Sequence, residues 1–107
     1  MLQNFQAYKL SQALYQECNQ LKTKAYIKDQ LQRASLSIVL NLAEGSAKSS
    51  NKDRKRFYEI ALGSTRETQA IVELLNAPKA IDLADRSLRI HSSSQPTVNS
   101  WLRAKVL

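Results

Sequence analysis

The sequence predicts an all-α protein, a bundle of amphipathic helices within one domain. Only two glycines and two prolines occur among 107 residues, so the residues that usually separate short strands are scarce. Apolar residues recur at steps of three and four over most of the chain, which is the spacing of one face of an α-helix. A chain of 107 residues has room for a single hydrophobic core.

The first two predicted helices occupy the N-terminal half of the chain. The first runs from about residue 2 to about residue 21, and a basic connection at residues 22–24 separates it from the second, which runs from about 26 to 43. The first helix has one apolar stripe, formed by Ala7, Leu10, Leu14, Cys18 and Leu21. The second helix has two, formed by Ile27, Leu31, Ala34, Ile38 and Leu42 and by Leu36, Leu40 and Ala43. A helix that is apolar on two faces contacts more than one partner, which indicates either a bundle of three or four helices or a subunit interface.

A third and longer helix is predicted from about residue 52 to about residue 75. Gly45 is expected to end the second helix through a positive φ, and Ser50 is expected to cap the third, with Asp53 in its first turn. The predicted buried face consists of Phe57, Ile60, Ala61, Ser64, Thr68, Ile71 and Leu75. Gly63 lies inside this helix, where glycine lowers stability, so it predicts close packing against the small residues of the second helix.

A short fourth helix is predicted from about residue 80 to about residue 90, after Asn76 and Pro78 stop the third. Its apolar side consists of Ile81, Ala84 and Leu88, with His91 near its end. A serine-rich break follows. The predicted division is therefore a helical bundle domain at residues 1–91 and a C-terminal tail at 92–107 whose structure the pattern does not predict.

Residues for catalysis or for metal binding are nearly absent. His91 is the single histidine and Cys18 the single cysteine, so neither a triad nor a Cys or His metal cluster can be assembled from the sequence, and Cys18 is expected to be a small buried hydrophobe. No nucleotide-binding or hydrolase motif occurs. We expect no catalytic residue, no metal and no cofactor. The N-terminus lacks the pattern of a secretory signal and no run of ~20 apolar residues occurs, so the expected location is the cytoplasm.

The connection between the second and third helices has the strongest functional signal. The chain carries a net charge of +7, and five bases lie between positions 48 and 56 with Asp53 as the only acid. They are Lys48, Lys52, Arg54, Lys55 and Arg56. Backbone N–H groups at the start of the third helix add donors for phosphate, and Arg33 and Lys28 are expected to contribute as well. No aromatic stacking surface accompanies these bases, so binding should rest on phosphate contacts with weak sequence readout. The alternative is a solvated helix end that is charged for solubility alone.

The run at residues 33–68 resembles the four-helix-bundle family of 23S rRNA intervening-sequence proteins, whose signature is R-A-x-x-S-I-x-x-N-I-A-E-G, a basic loop, and F-x-x-I-A-x-G-S-x-x-E. The matching positions here are Arg33, Ala34, Ser37, Ile38, Asn41, Leu42, Ala43, Glu44, Gly45, Phe57, Ile60, Ala61, Gly63, Ser64 and Glu67. The resemblance implies an antiparallel up-down four-helix bundle that forms a ring-like homo-oligomer, with a pentamer as the expected count, and no enzymatic activity. Residues after the third helix depart from the family pattern, so the fourth helix is expected to be short or truncated.

The resemblance also bears on partners. The family is similar to the accessory protein of diversity-generating retroelements, which binds nucleic acid and a reverse transcriptase. Nucleic acid, RNA in particular, is therefore the expected partner, beside further copies of the chain and a protein such as a reverse transcriptase. Asn41, Glu44, Gly45 and Gly63 are expected to set helix ends, packing and assembly rather than to contact a ligand. The competing hypothesis is a structural adaptor ring that docks a protein through the second apolar stripe and has no direct role with nucleic acid.

Overall fold

The computed structural model describes residues 6–92, with side chains through residue 90, and it consists of four α-helices. They are α1 (Gln6–Gln20), α2 (Ala25–Ala47), α3 (Asn51–Leu74) and α4 (Pro78–Ser92). Connections of three or four residues, at 21–24, 48–50 and 75–77, reverse the chain each time. Each helix packs against the next, and α4 packs back against α1. The prediction of an antiparallel up-down four-helix bundle with a short fourth helix is confirmed, since α4 has 15 residues where α2 and α3 have 23 and 24.

The core combines a few large aliphatic side chains with many small residues. Leu14, Leu31, Ile38 and Val72 are fully buried. Five buried hydroxyls donate to a carbonyl one turn earlier in their own helix, from Ser11, Ser35, Thr65, Thr68 and Ser87. Each polar group is thereby satisfied within its own helix, and the small side chains let neighbouring helices approach closely.

Cys18 is a buried core residue, as predicted. Burial raises the pKa of its thiol to about 11, although a hydrogen bond with Ser35 acts in the opposite direction. The thiol is therefore protonated at neutral pH. A protonated, fully buried thiol is a packing group and does not act as a nucleophile.

Gly45 does not end α2, so that prediction is wrong. The helix continues to Ala47 with Lys48 as its C-cap, and no glycine among the described residues has a positive φ. A Cβ placed on Gly45 would lie 2.7 Å from Cε1 of Tyr58 and 3.1 Å from Cβ of Phe57. The glycine is there because α3 crosses α2 closely at this point, not because the backbone needs a left-handed residue.

The buried face of α3 is turned by about one residue from the predicted face. It consists of Tyr58, Ala61, Leu62, Thr65, Thr68 and Val72. Ile60, predicted to be buried, is 43% exposed. The apolar pattern did not separate the two faces, because the buried Tyr58, Leu62 and Val72 follow predicted residues by one position at the same helical spacing.

The same rotation places Gly63 on the exposed side of α3. No atom lies within 4 Å of a Cβ built on Gly63, so the prediction that it packs against α2 within the chain is wrong. The neighbouring Ser64 faces α2 instead, with its Oγ 2.7 Å from Oγ of Ser37.

The turn between α3 and α4 is closed by backbone hydrogen bonds. Asn76 has φ 54°, its N–H donates to Glu73 O at 3.1 Å, and Ala77 N–H donates to Val72 O at 3.1 Å. These two bonds define a Schellman motif, in which asparagine is the commonest substitute for glycine. Pro78 then occupies the first helical position of α4, so the predicted stop at Asn76 and Pro78 is confirmed.

Helix α4 is longer than the predicted 80–90, and its buried side differs in part. Ala80, Leu83, Ala84 and Ser87 are buried, whereas Ile81 and Leu88 are only half-buried. The predicted tail beyond residue 92, the start of the predicted first helix before residue 6 and the side chain of His91 lie outside the described residues. None of the described helices is long and apolar enough to cross a membrane.

Candidate nucleic-acid interface

The net positive charge of the described residues is concentrated at one end of the bundle. If each helix is divided at its midpoint, residues 6–12, 37–62 and 86–92 form the half that contains the α2–α3 connection, which we call the basic end. It holds eight Lys and Arg residues against three Asp and Glu residues, a net charge of +5. The other half, residues 13–36 and 63–85, holds six of each and is neutral. The antiparallel topology therefore gathers the net positive charge of the described residues toward one end of the bundle.

The α2–α3 connection is held in place by hydrogen bonds, several of them from Arg54. The hydroxyl of Ser50 accepts from Asp53 N–H at 3.1 Å, which confirms the predicted cap. Arg54 Nη1 donates to Lys48 O at 2.8 Å and Nη2 to Asn51 Oδ1 at 3.0 Å. One guanidinium thus joins the end of α2 to the start of α3, and Arg54 has a structural role in addition to its charge.

Two further bases flank the half-buried ring of Phe57. Arg56 lies with its guanidinium carbon 4.4 Å from the ring centroid, and Lys48 with its Nζ 5.4 Å from it. Lys48 also pairs with Glu44 at 3.0 Å, and it stands at the C-terminus of α2, where the helix dipole favours a cation. The contacts with Phe57 and Glu44 and the helix dipole therefore explain why a cation lies at Lys48. The contact with Phe57 holds the Arg56 side chain against the surface of the bundle.

No comparable contact within the described residues explains the presence of lysine at positions 52 and 55. Both are exposed, and neither forms an ion pair or a hydrogen bond with any residue in the described range. Lys52 lies three and four residues before Lys55 and Arg56, so like charges face one another on the helix surface, and Arg56 also pairs with Asp53 at 4.0 Å. Lys52 lies in the first turn of α3, where the helix dipole disfavours a cation. A bound anion would relieve both unfavourable interactions.

Lys28 and Arg33 do not join this group. Lys28 Nζ donates to Leu21 O at 2.6 Å and so closes the α1–α2 connection at the opposite end of the bundle. Arg33 pairs with Asp29 one turn earlier in α2. The 20 residues from Lys28 to Lys48 correspond to roughly 30 Å of helix. Of the seven predicted bases, five are brought together and two are not.

Of the four residues predicted to set structure, Gly45 contacts α3 directly, whereas Asn41 and Glu44 bond to residues of α2 or its C-cap. Asn41 Nδ2 donates to Ser37 O at 2.8 Å and lies 3.1 Å from Ser37 Oγ, which in turn contacts Ser64. Glu44 holds Lys48, and Gly45 admits Tyr58. Gly63 has no such contact within the described residues.

A second basic feature of this end was not predicted. A groove of about 470 Å³ lies between the N-terminal part of α1 and the C-terminal part of α4. It is lined by Gln6, Lys9, Leu10, Arg86, Arg89 and Ile90, and we call it the α1–α4 groove. Lys9 lies 77 positions before Arg86 and 80 before Arg89, so only the tertiary contact of α1 with α4 reveals these bases as one surface.

Within residues 6–92, the second apolar stripe of α2 is left partly exposed. Leu36 is 38% exposed and Leu40 is 55% exposed, one turn apart on the outer face of α2. The four described helices therefore do not account for the second apolar face of α2. Among the described residues, no three His, Cys, Asp or Glu side chains are close enough to hold a metal ion.

Comparison with known proteins gives one match. A family model described as 23S rRNA-intervening sequence protein matches residues 3–94. No curated protein and no solved structure matches the chain significantly. The match covers all four helices, from before the described start of α1 to just beyond α4.

Proposed function

The chain belongs to the 23S rRNA-intervening sequence protein family, and we propose that it is a non-enzymatic, oligomeric protein that binds RNA at the basic end of its bundle. The contacts are made to phosphates, chiefly by Lys52, Lys55 and Arg56, with Lys48 and Arg54 contributing charge at the connection that they help to hold. Sequence readout is weak.

One observation carries the proposal. Lys52 and Lys55 stand exposed and unpaired among the described residues, beside Arg56 and at the N-terminus of α3. That arrangement lowers the stability of the free protein, because like charges adjoin and the helix dipole opposes the charge of Lys52 in the first turn. A polyanion reverses the sign of both effects, and backbone N–H groups at the same helix end add donors for phosphate oxygens. A charge cluster kept for solubility alone could lie anywhere on the surface.

The character of the surface supports phosphate contacts over base recognition. Phe57, the aromatic residue nearest these bases, is half-buried and has cations near its ring, so it offers no open face on which a base could stack. Flexible lysines bind phosphate as point charges. The affinity should consequently depend on RNA length and salt more than on RNA sequence.

The experiment that tests the proposal is a salt titration of RNA binding by the full chain. Fluorescence anisotropy would follow binding to a single-stranded RNA of about 16 nucleotides, a length within the range that single-strand-binding proteins cover. Five phosphate contacts at the connection alone give log K a slope of about −3.5 against log salt concentration, and contacts elsewhere on the chain make the slope steeper. A second RNA of the same length and unrelated sequence should bind with the same affinity within about threefold. Absence of binding at low salt, or a slope near zero, would contradict the proposal.

A second proposal concerns assembly, and the observation that favours it is the exposed stripe of Leu36 and Leu40. The proposed assembly is a homo-oligomer, with the pentamer implied by the family resemblance as the expected count. The same stripe would serve an adaptor ring that docks a protein such as a reverse transcriptase. The adaptor becomes the better account if the oligomer forms and ignores RNA.

Leu40→Glu should convert the oligomer to monomers, because it places a charge in the middle of the apolar stripe. Light scattering coupled to size-exclusion chromatography measures the mass directly. Gln12→Glu is the matched control, since it adds the same charge at an exposed position on α1 and should leave the mass unchanged. A wild-type protein that is monomeric, or a Leu40→Glu variant that keeps the wild-type mass, would rule out assembly through this stripe.

A further inference from the structure

The α1–α4 groove lies at the same end of the bundle as the basic connection. The N-terminal part of α1 and the C-terminal part of α4 both lie toward the end of the bundle that carries the α2–α3 connection, because each helix runs antiparallel to the next. Two sets of bases that are distant in the sequence therefore share one end of a narrow molecule. The groove is separate from the connection itself, and none of its lining residues belongs to α2 or α3.

The lining of the groove has the composition of an anion site. Lys9, Arg86 and Arg89 supply three cations, and Gln6 supplies an amide that can donate to an oxygen. No Asp or Glu occurs in residues 6–12 or 86–92, so the three acids of the basic end all belong to α2 and α3. The α1–α4 side of this end has a net charge of +3.

The structure also indicates how available these cations are. Lys9 is exposed and has no ion pair or hydrogen bond with a described residue. Arg86 pairs with Asp82 at 3.5 Å, with both side chains about half exposed, and such a pair contributes little to stability and exchanges readily for a stronger anion. Leu10 and Ile90 form the apolar part of the lining. Apolar walls reduce solvation in a groove and strengthen the attraction between its cations and a bound anion.

We propose that the α1–α4 groove is a second contact site for the RNA backbone, so that one strand passes from the α2–α3 connection across the basic end into the groove. The inference rests on the proposed RNA binding and adds the path that the bound strand follows over the protein surface. A phosphodiester backbone fits because it presents repeated single negative charges to cations that are spaced along the surface. The ribose can lie against the leucine and isoleucine while the phosphates meet the cations.

The test compares three forms of the full chain: wild type, the groove variant Lys9→Gln/Arg86→Gln, and the control Lys22→Gln/Lys24→Gln. The control removes the same charge from exposed lysines of the neutral half, which have no side-chain partner among the described residues. Binding to an RNA of about 16 nucleotides is measured across a salt series. Because each phosphate contact contributes about 0.7 to the slope, the groove variant should show a slope shallower by about 1.4 and an affinity lower by on the order of tenfold. The control should match wild type, and both variants should melt within a few degrees of wild type.

The outcomes separate the two proposals. If the groove variant keeps the wild-type slope while neutralising Lys52, Lys55 and Arg56 weakens binding, the groove is not a contact and the proposed function stands. If the control loses as much affinity as the groove variant, the effect is one of net charge, and the groove proposal is overturned. If the wild-type protein does not bind RNA at all, the proposed function is wrong and the groove proposal falls with it.

Discussion

Gly45→Ala is expected to destabilise the bundle by about 2 kcal/mol, or roughly 10 °C in Tm for a domain of this size. The new Cβ would lie 2.7 Å and 3.0 Å from two atoms of the Tyr58 ring, which is only 5% exposed and has little room to turn. Atoms that close must separate, either by moving the ring or by moving α2 away from α3. Alanine is the better helix former by up to ~1 kcal/mol, but that gain is smaller than the cost of the overlap.

Gly63→Ala is the matched control and should change stability in the opposite direction. It makes the same substitution in the neighbouring helix, at an exposed position with no atom within 4 Å of the new methyl group. The helix-propensity gain should therefore appear almost in full, as a rise of up to ~1 kcal/mol in the free energy of unfolding. Thermal melts followed by circular dichroism give both values. Two variants that shift Tm in the same direction would mean that Tyr58 does not pack against Gly45 in solution.

Neutralising three bases at the start of α3, as Lys52→Gln/Lys55→Gln/Arg56→Gln, should lower the affinity for RNA by about 100-fold at ~0.1 M salt. Each base is assigned one phosphate contact, and each contact in a single-strand complex contributes about 0.7 to the salt slope, so the slope should become shallower by about 2. Arg54 is left in place because it donates to Lys48 O and Asn51 Oδ1, so its removal would loosen the connection as well as remove charge.

The control for this variant removes three bases from the neutral half, as Lys22→Gln/Lys24→Gln/Arg66→Gln. All three side chains are exposed and have no ion pair or hydrogen bond among the described residues, and Lys24 makes no side-chain cap bond. Net charge falls equally in the two variants, so only position differs. Equal losses of affinity would show that RNA responds to overall charge and would remove the reason to assign the site to α3.

Much of the fold could be read from local patterns. Apolar spacing predicted all four helices, and Ser50 with Asp53 predicted the cap that Ser50 makes. Asn76 and Pro78 predicted the end of α3 because both act through the backbone of their own turn. The family resemblance on residues 33–68 is confirmed by a match over residues 3–94. These features depend on neighbours along the chain, which a sequence displays directly.

The wrong predictions concern positions whose environment is set by a neighbouring helix. Gly45 resembled a helix terminator, but glycine is required there because the ring of Tyr58 in α3 leaves no room for a Cβ. Gly63 resembled a packing position, but the one-residue rotation of α3 gives that contact to Ser64. The rotation was not predicted because α3 has apolar residues at the same helical spacing on two neighbouring faces, so the apolar pattern alone does not choose between them.

The sequence predicted that the five bases of the connection lie together, but it did not predict the contacts that each of them makes. Five bases of the connection do lie together, since they adjoin in sequence, whereas Lys28 and Arg33 were included for their charge and are held elsewhere. Only the structure distinguishes Arg54, which holds the connection, from Lys52 and Lys55, which have no partner among the described residues. The α1–α4 groove depends on two helices at opposite ends of the chain, so no local pattern could indicate it.

The central claim is that Lys52 and Lys55 serve a polyanion and not the fold. The most direct measurement is the Tm of the double variant Lys52→Gln/Lys55→Gln at low salt, together with its RNA affinity from the same preparation. Removal of like-charge neighbours and of a cation opposed by the α3 dipole should raise stability by up to about 1 kcal/mol, a few degrees in Tm, while RNA binding weakens by at least tenfold. A lower Tm with unchanged RNA affinity would contradict the claim, since the two lysines would then stabilise the bundle and would not bind RNA.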